Sequence, residues 1–233
     1  MNPLPIPRTA PTPADTPSAA AKARFWNRIA RKYAADPIAD VAGYEATLGR
    51  VQSMLSPEHS VLEIGCGTGT TALRLAASTR RMLATDVSAE MIAIAREKLA
   101  SRPQSQPLQQ LRFGVAEAET SASYGACHDA VLAFNVLHLV SDLDLTLQAI
   151  LSTLKPGGLF ISKTPCLGEM NPIIPRLVVP LMRALGKAPD VLVFDAARLR
   201  SAFERHGFEI EAVERHGSKR KDIRVFIVAR RPR

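Results

Sequence analysis

The sequence predicts an α/β fold, doubly wound around a mostly parallel sheet. Three observations carry that expectation. Residues 61–69, V-L-E-I-G-C-G-T-G, run an apolar strand into three glycines at alternate positions, and Thr70-Thr71-Ala72-Leu73 then opens a helix. Apolar segments of strand length keep alternating with helical periodicity to about residue 206. The last two strand-like segments, 208–213 and 223–229, have few residues between them and would pair antiparallel.

With 233 residues, 46% of them hydrophobic, the chain is long enough for one such domain with a buried sheet. Residues 1–19 hold six prolines, which obstruct helix and sheet pairing, and are expected to be a disordered leader to a single domain, 20–233. From Ala20 an Ala-rich basic helix carries Phe25, Trp26, Ile29 and Tyr33 on one face. A second short helix is expected over 41–55, so that 20–56 form a helical cover.

Beyond the glycine turn, 82–85 read as a short strand that delivers Asp86. Ser88 starts a helix to about Ala100, with Met91, Ala95 and Leu99 on one face, completing a βαβ unit. The Pro- and Gln-rich stretch 102–109 is a loop before the strand 111–115, and a buried-type strand, 129–134, ends in Asn135. Ser141-Asp142-Leu143-Asp144 starts a helix whose Leu143, Leu147, Ile150, Leu151 and Leu154 face the core. Lys155-Pro156-Gly157-Gly158 stops it, and 159–163 are the next strand. Residues 165–190 carry five prolines and an apolar segment, 177–185, broken by Pro180, and read as a lid-like insertion. Asp195 caps a helix to His206, with Gly207 as its left-handed stop.

The net charge of +8 is concentrated at two places. Lys22, Arg24, Arg28, Arg31 and Lys32 form one basic group, and residues 215–233 carry eight Lys or Arg against Asp222 alone. The remaining body is mildly acidic, so nucleic acid is not the expected partner, while peripheral contact of the basic ends with a membrane surface stays open. No run of eighteen apolar residues exists and the first residues lack the apolar core of a secretory signal, which makes cytoplasmic residence the simplest expectation. Cys66, Cys127 and Cys166 are too few and too scattered for a disulfide framework or a metal cluster, so no metal is expected.

In an open α/β sheet, ligands sit at the carboxyl ends of the strands. The glycine turn is G-x-G-x-G, with Thr70 where the G-x-x-G/A spacing of a nicotinamide site wants a small apolar residue. Glu63, two residues before the first glycine, would repel a pyrophosphate but would attract a cofactor with a cationic amino-acid tail. Asp86, 17 residues past Gly69, stands where a carboxylate can accept both hydroxyls of a ribose, and Val87 beside it offers an apolar wall to adenine.

Residues 61–69, Asp86 after its strand, residues 129–138 and Leu154-Lys155-Pro156-Gly157-Gly158-Leu159-Phe160 together resemble the class I S-adenosylmethionine-dependent methyltransferases. The resemblance is to the small single-domain branch that includes quinone C-methyltransferases and many small-molecule methylases, and it covers roughly 22–230. It implies a Rossmann-like, seven-stranded sheet with an antiparallel terminal strand. It further implies that Gly65, Cys66, Gly67, Gly69 and Thr70 approach the cofactor, with Glu63 orienting its methionyl part and Asp86 and Val87 holding its nucleoside. Met91, on the following helix, belongs to the same expected set. The acid such proteins carry after the third strand is Val115 here, leaving Ala116 and Glu117 for the adenine. Asn135 would face cofactor and acceptor, and Tyr33 and Tyr44 of the helical cover would close over them.

The expected reaction is methyl transfer from S-adenosylmethionine to a small or lipid-like acceptor by in-line displacement, leaving S-adenosylhomocysteine. His138 is the candidate base and Cys166 a candidate substrate or lid residue. The apolar segment 177–185, with Ile173 and Ile174 ahead of it, would suit a hydrophobic acceptor. Two other readings stay open: a cofactor-binding protein of the same fold with a regulatory or assembly role, and a nicotinamide-dependent oxidoreductase. Acceptor atom and oligomeric state are not set by these residues.

Overall fold

The computed structural model describes residues 17–103, 105, 107–218 and 222–233. Seven strands form one sheet: β1 (Ser60–Ile64), β2 (Arg81–Asp86), β3 (Leu111–Val115), β4 (His128–Phe134), β5 (Leu154–Pro165), β6 (Glu209–Glu214) and β7 (Arg224–Arg230). Their order across the sheet is β3-β2-β1-β4-β5-β7-β6, parallel from β3 to β5 and antiparallel where β7 meets β5 and β6. The chain reverses direction across the sheet between β1 and β4, and at such a switch point the strand ends splay to leave a crevice.

Side-chain alternation distributes the core over two faces. On one, Leu62, Val131, Phe160 and Ile227 pack with Leu147 and Ile150 of α5 (Leu143–Thr153) and Leu199 and Phe203 of α7 (Ala196–Arg205). On the other, Val61, Leu132, Ile161 and Val228 meet Leu48 of α2 (Val41–Gln52), Leu75 of α3 (Thr70–Leu75) and Ile92 of α4 (Ala89–Ala100). α1 (Pro17–Ala35) lies on α4, with Trp26 and Ala30 against Met91 and Ile94. Asn27 fixes that docking: its Oδ1 accepts the Ser88 hydroxyl at 2.6 Å and the Glu90 N–H at 3.2 Å. Side-chain oxygens of Asp40, Ser88, Asp142 and Asp195 each accept an N–H of the first turn of α2, α4, α5 and α7.

Several boundaries differ from the sequence expectation. β5 starts at Leu154 rather than 159, because Leu154, two residues before Pro156, already has extended backbone and pairs with His128. α2 stops at Gln52, three residues short. Most of the expected leader lies outside the described residues, and α1 already begins at Pro17, a residue suited to a first helical turn. Part of the 102–109 loop is likewise outside them. In the 165–190 segment, a turn of π-helix (Ile174–Val178) runs into α6 (Val179–Ala184), with Pro180 in its first turn. Ile173, Leu177, Leu181 and Leu185 are exposed there.

Candidate functional site

The carboxyl ends of the central strands open into a cavity of about 430 Å³. Its floor is the turn after β1. Gly65, Gly67 and Gly69 have φ of 64°, 53° and 74°, in the left-handed region that a side chain strains. A Cβ on Gly65 would stand 2.3 Å from Val136 Cγ2, and one on Gly69 2.7 Å from the Phe113 ring, so the backbone has to be bare there. Asp86 pins the turn: its Oδ2 accepts the Gly67 N–H at 2.9 Å and its Oδ1 the Ser88 N–H at 2.9 Å. Each oxygen keeps a lone pair for a further donor.

Glu63 is 2% exposed, and its Oε2 is buried without a hydrogen-bond partner. Burial first, and the Asp86 carboxylate second, push its pKa up to about 8. Burial likewise raises the Asp86 pKa, against the two backbone hydrogen bonds. Two acids held this close, one with an unanswered oxygen, are the counterpart of a cation that also carries hydroxyl groups. That donor set fits the methionyl ammonium or sulfonium and the ribose of S-adenosylmethionine.

The roof comes from the N-terminal helices. Trp26 and Tyr33 of α1, edge to face at 6.1 Å between ring centroids, and Tyr44 of α2 line the cavity. The Tyr44 hydroxyl lies 3.3 Å from Thr71 Oγ1, tying α2 to the start of α3. Lys22 of α1 reaches across the opening to Ser141 Oγ at 2.6 Å, so α1 spans from α4 to the start of α5.

Of the residues singled out in the sequence, Glu63, Gly65, Cys66, Gly67, Thr70, Asp86, Val87, Met91, Ala116, Glu117 and Asn135 line this one cavity, as do Tyr33 and Tyr44. Three do not. Gly69 sits under the turn as the left-handed residue before α3, packed on Phe113 and Ala95. His138 lies past the strand end and is not among the residues that line the cavity. Its Nδ1 is buried without a partner, its carbonyl accepts the Leu192 N–H, and burial holds its pKa down to about 4. Cys166 is fully buried in the α5/α7 core, bonded to the Thr164 carbonyl, and burial pushes its thiol up to about 12. No described side chain of residues 173–185 lines the cavity.

The sequence reading missed the far end of the cavity, where Asp40, Thr47, Phe134, Lys163 and Arg224 stand on the wall. A lysine closing the strand 159–163, after Leu159, Phe160 and Ile161, was a usable signal. Asp40 was hidden as a helix cap, and Arg224 within the basic C-terminal group.

A family model described as "Methyltransferase domain" matches residues 62–160, which span β1 to β5. Over those 99 of the 233 residues the chain is similar to a methyltransferase domain. Its fold is that of the class I methyltransferases, and the methyl donor of such enzyme domains is S-adenosylmethionine. Among similar proteins, the highly reducing polyketide synthase calA of Penicillium decumbens is 32% identical over 121 residues, 49% of this chain and 4% of that protein. The putative methyltransferase YqeM of Bacillus subtilis is 27% identical over 54% of this chain and 50% of its own length. The chain therefore spans a small fraction of the synthase it matches and half of YqeM. Among solved structures, geranyl diphosphate C-methyltransferase from Streptomyces coelicolor, in complex with S-adenosyl-L-homocysteine, superposes with a TM-score of 0.68 at 15% identity, covering 95% of this chain and 100% of that one. No helix among the described residues is long and apolar enough to cross a membrane.

Proposed function

We propose that this chain transfers a methyl group from S-adenosylmethionine to a small acceptor held at the Lys163 end of the cavity. The observation that carries the reading is the unpaired, buried Oε2 of Glu63, facing the same cavity as Asp86 and the bare glycine turn. Bound at this place, S-adenosylmethionine supplies a methyl on a sulfonium with a good leaving group. The protein's work is then to position and to exclude water. In this reading Glu63 holds the cationic methionyl end, Asp86 accepts the ribose hydroxyls, and Val87 and Ala116 flank the base. Glu117 takes over the edge contact that Val115, 39% exposed and off the cavity wall, does not make. Trp26, Tyr33 and Tyr44 close the roof.

Neither His138 nor Cys166 lines the cavity, and the imidazole nearest its wall is that of His216, whose Nδ1 lies 3.1 Å from Thr47 Oγ1, so in this reading the acceptor attacks without a histidine base in direct contact. No described side chain of 173–185 lines the cavity, so we favour a small acceptor over a lipid-like one. The same lack of an imidazole favours, as a second reading, a cofactor-binding protein that does not catalyse. A labelled-methyl transfer assay on a fractionated metabolite extract separates the two. Label in a small molecule supports catalysis. Tight S-adenosylmethionine binding with no label in any fraction supports the second reading.

A further inference from the structure

Lys163 is the most deeply buried cation of the chain's cavity wall, at 5% exposure. It is the tenth residue of β5, and alternation puts it on the same sheet face as Ile161. Its ammonium donates to Thr47 Oγ1 at 2.7 Å and to the Gly43 carbonyl at 3.3 Å, both on α2. An ammonium has three N–H donors, and no carboxylate among the described residues lies within salt-bridge distance of it. Another cation holds the nearby acids: Arg224 bonds Asp40 Oδ2 at 3.0 Å and Asp222 Oδ1 at 2.8 Å, while Asp222 Oδ2 is buried without a partner of its own. Asp40 also accepts from the Ser218 hydroxyl, the Ser218 N–H and the Gly43 N–H.

A buried, unpaired ammonium is costly unless something anionic meets it. Within the protein the ammonium has only the longer-range attraction of Asp222 and Asp40 to offset its burial, and an anionic oxygen arriving from the cavity would add a direct partner. The position of Lys163 separates it from the cofactor end. Glu63 pairs with Leu132, and Leu132 with Ile161, so Lys163 stands two strands away from Glu63 and two residues further toward the strand ends. At ordinary strand spacing this is about 10 Å sideways, on the far side of Asn135. The backbone of Asn135 is tied to that strand, its N–H donating to the Lys163 carbonyl at 2.7 Å.

We infer that Lys163 seats an anionic oxygen of the acceptor, such as a carboxylate, and thereby selects acidic small molecules for methylation. The inference rests on the proposed methyltransferase reading for the term "acceptor", but the anion site is testable without it. Burial, and next the neighbouring Arg224, lower the pKa of Lys163, while Asp222 and Asp40 raise it. An arriving anion would stabilise the charged form.

The test is calorimetric binding to the full chain, with and without S-adenosylhomocysteine, of matched pairs: acetate and acetamide, octanoate and octanamide, benzoate and benzamide, cinnamate and cinnamamide. At least one acid is expected to bind tenfold or more tightly than its amide. Lys163→Met and Lys163→Gln should each remove that preference while leaving the amide and S-adenosylhomocysteine affinities within threefold. The pair of variants guards against a single misfolded one, checked by thermal melting. Absence of acid preference across all pairs, or its survival in both variants, overturns the inference. So does an equal loss of S-adenosylhomocysteine affinity, since the lysine would then hold the methionyl carboxylate. If S-adenosylhomocysteine fails to bind at all, the proposed function falls, while the acid preference of the free protein still decides the role of Lys163.

Discussion

Asp86 and Gly67 are joined across the strand ends by a hydrogen bond of 2.9 Å, carboxylate to backbone N–H, so the residue expected to hold a ribose also holds the glycine turn in shape. Asp86→Ala should therefore act twice. It leaves the N–H of buried Ser88 without its partner, worth about 1–3 kcal/mol of stability, while that of Gly67 on the cavity floor can meet water. It should also weaken S-adenosylhomocysteine binding by at least tenfold. Asp86→Asn, which keeps an acceptor, should recover part of the stability but little of the affinity. Chemical denaturation and calorimetry on the same samples separate the two effects.

Glu63 should make the stability of the ligand-free protein depend on pH. Its folded pKa, about 8, lies above its ordinary carboxylate value, so its contribution to stability is full at low pH and is lost as the pH rises through about 8. Between pH 5 and pH 8 the ligand-free protein should lose stability, and Glu63→Gln should flatten that slope. A cation at Oε2 favours the carboxylate, so binding S-adenosylmethionine near pH 7 should release most of one proton. Titrations in buffers of different ionisation enthalpy count that proton, and Glu63→Gln should abolish the release.

The glycine turn predicts a graded pair of variants. At Gly67 an added Cβ meets nothing closer than Tyr33 Cε1 at 3.8 Å, whereas at Gly65 it meets Val136 at 2.3 Å. Gly67→Ala should cost only the left-handed backbone strain, about 1–2 kcal/mol. Gly65→Ala should cost a further 1–3 kcal/mol, roughly the penalty of overpacking. Adding Val136→Ala to Gly65→Ala should recover part of that excess, as a double-mutant cycle by urea denaturation would show.

His138→Ala should leave methyl transfer within twofold of the unaltered protein, because the imidazole is off the cavity wall and neutral above pH 5. A hundredfold loss of kcat with unchanged KM would restore the base. Cys166 should resist iodoacetamide until the chain unfolds, whereas half-buried Cys127 should react first.

Trp26, the protein's single tryptophan, lines the cavity and packs edge to face with Phe25 and Tyr33. Its fluorescence should respond to S-adenosylhomocysteine with a saturable change. Asn27→Ala, which releases α1 from the start of α4, should weaken that affinity severalfold without unfolding the sheet.

Much of this arrangement was legible in the sequence because it is local. The alternation of strand and helix, the caps Ser88, Asp142 and Asp195, and the three glycines each declare themselves within a few residues. The turn, Glu63 and Asp86 belong to one βαβ unit, so their meeting in one cavity follows from its geometry. What could not be read depends on contacts between distant segments. The Lys163 site needs α2, β5 and β7 brought together, and Asp40 looks like an ordinary cap until Arg224 and Ser218 are seen on it. His138 and Cys166 both follow strands, yet whether such a residue faces the cavity or the core is decided by one step of chain direction, which their types do not reveal. For the 173–185 segment, exposed Ile173, Leu177, Leu181 and Leu185 show that it would gain from a covering surface, but its place relative to the cavity is set by the chain around it.

The central claim is that this cavity holds S-adenosylmethionine through Glu63 and Asp86. Calorimetric titration of the full chain with S-adenosylhomocysteine and with NADH tests it most directly. Binding of one S-adenosylhomocysteine per chain, weakened at least tenfold in Glu63→Gln and in Asp86→Ala, with no NADH heat, is the predicted result. NADH binding in its place, or S-adenosylhomocysteine affinity unchanged in both variants, would contradict it.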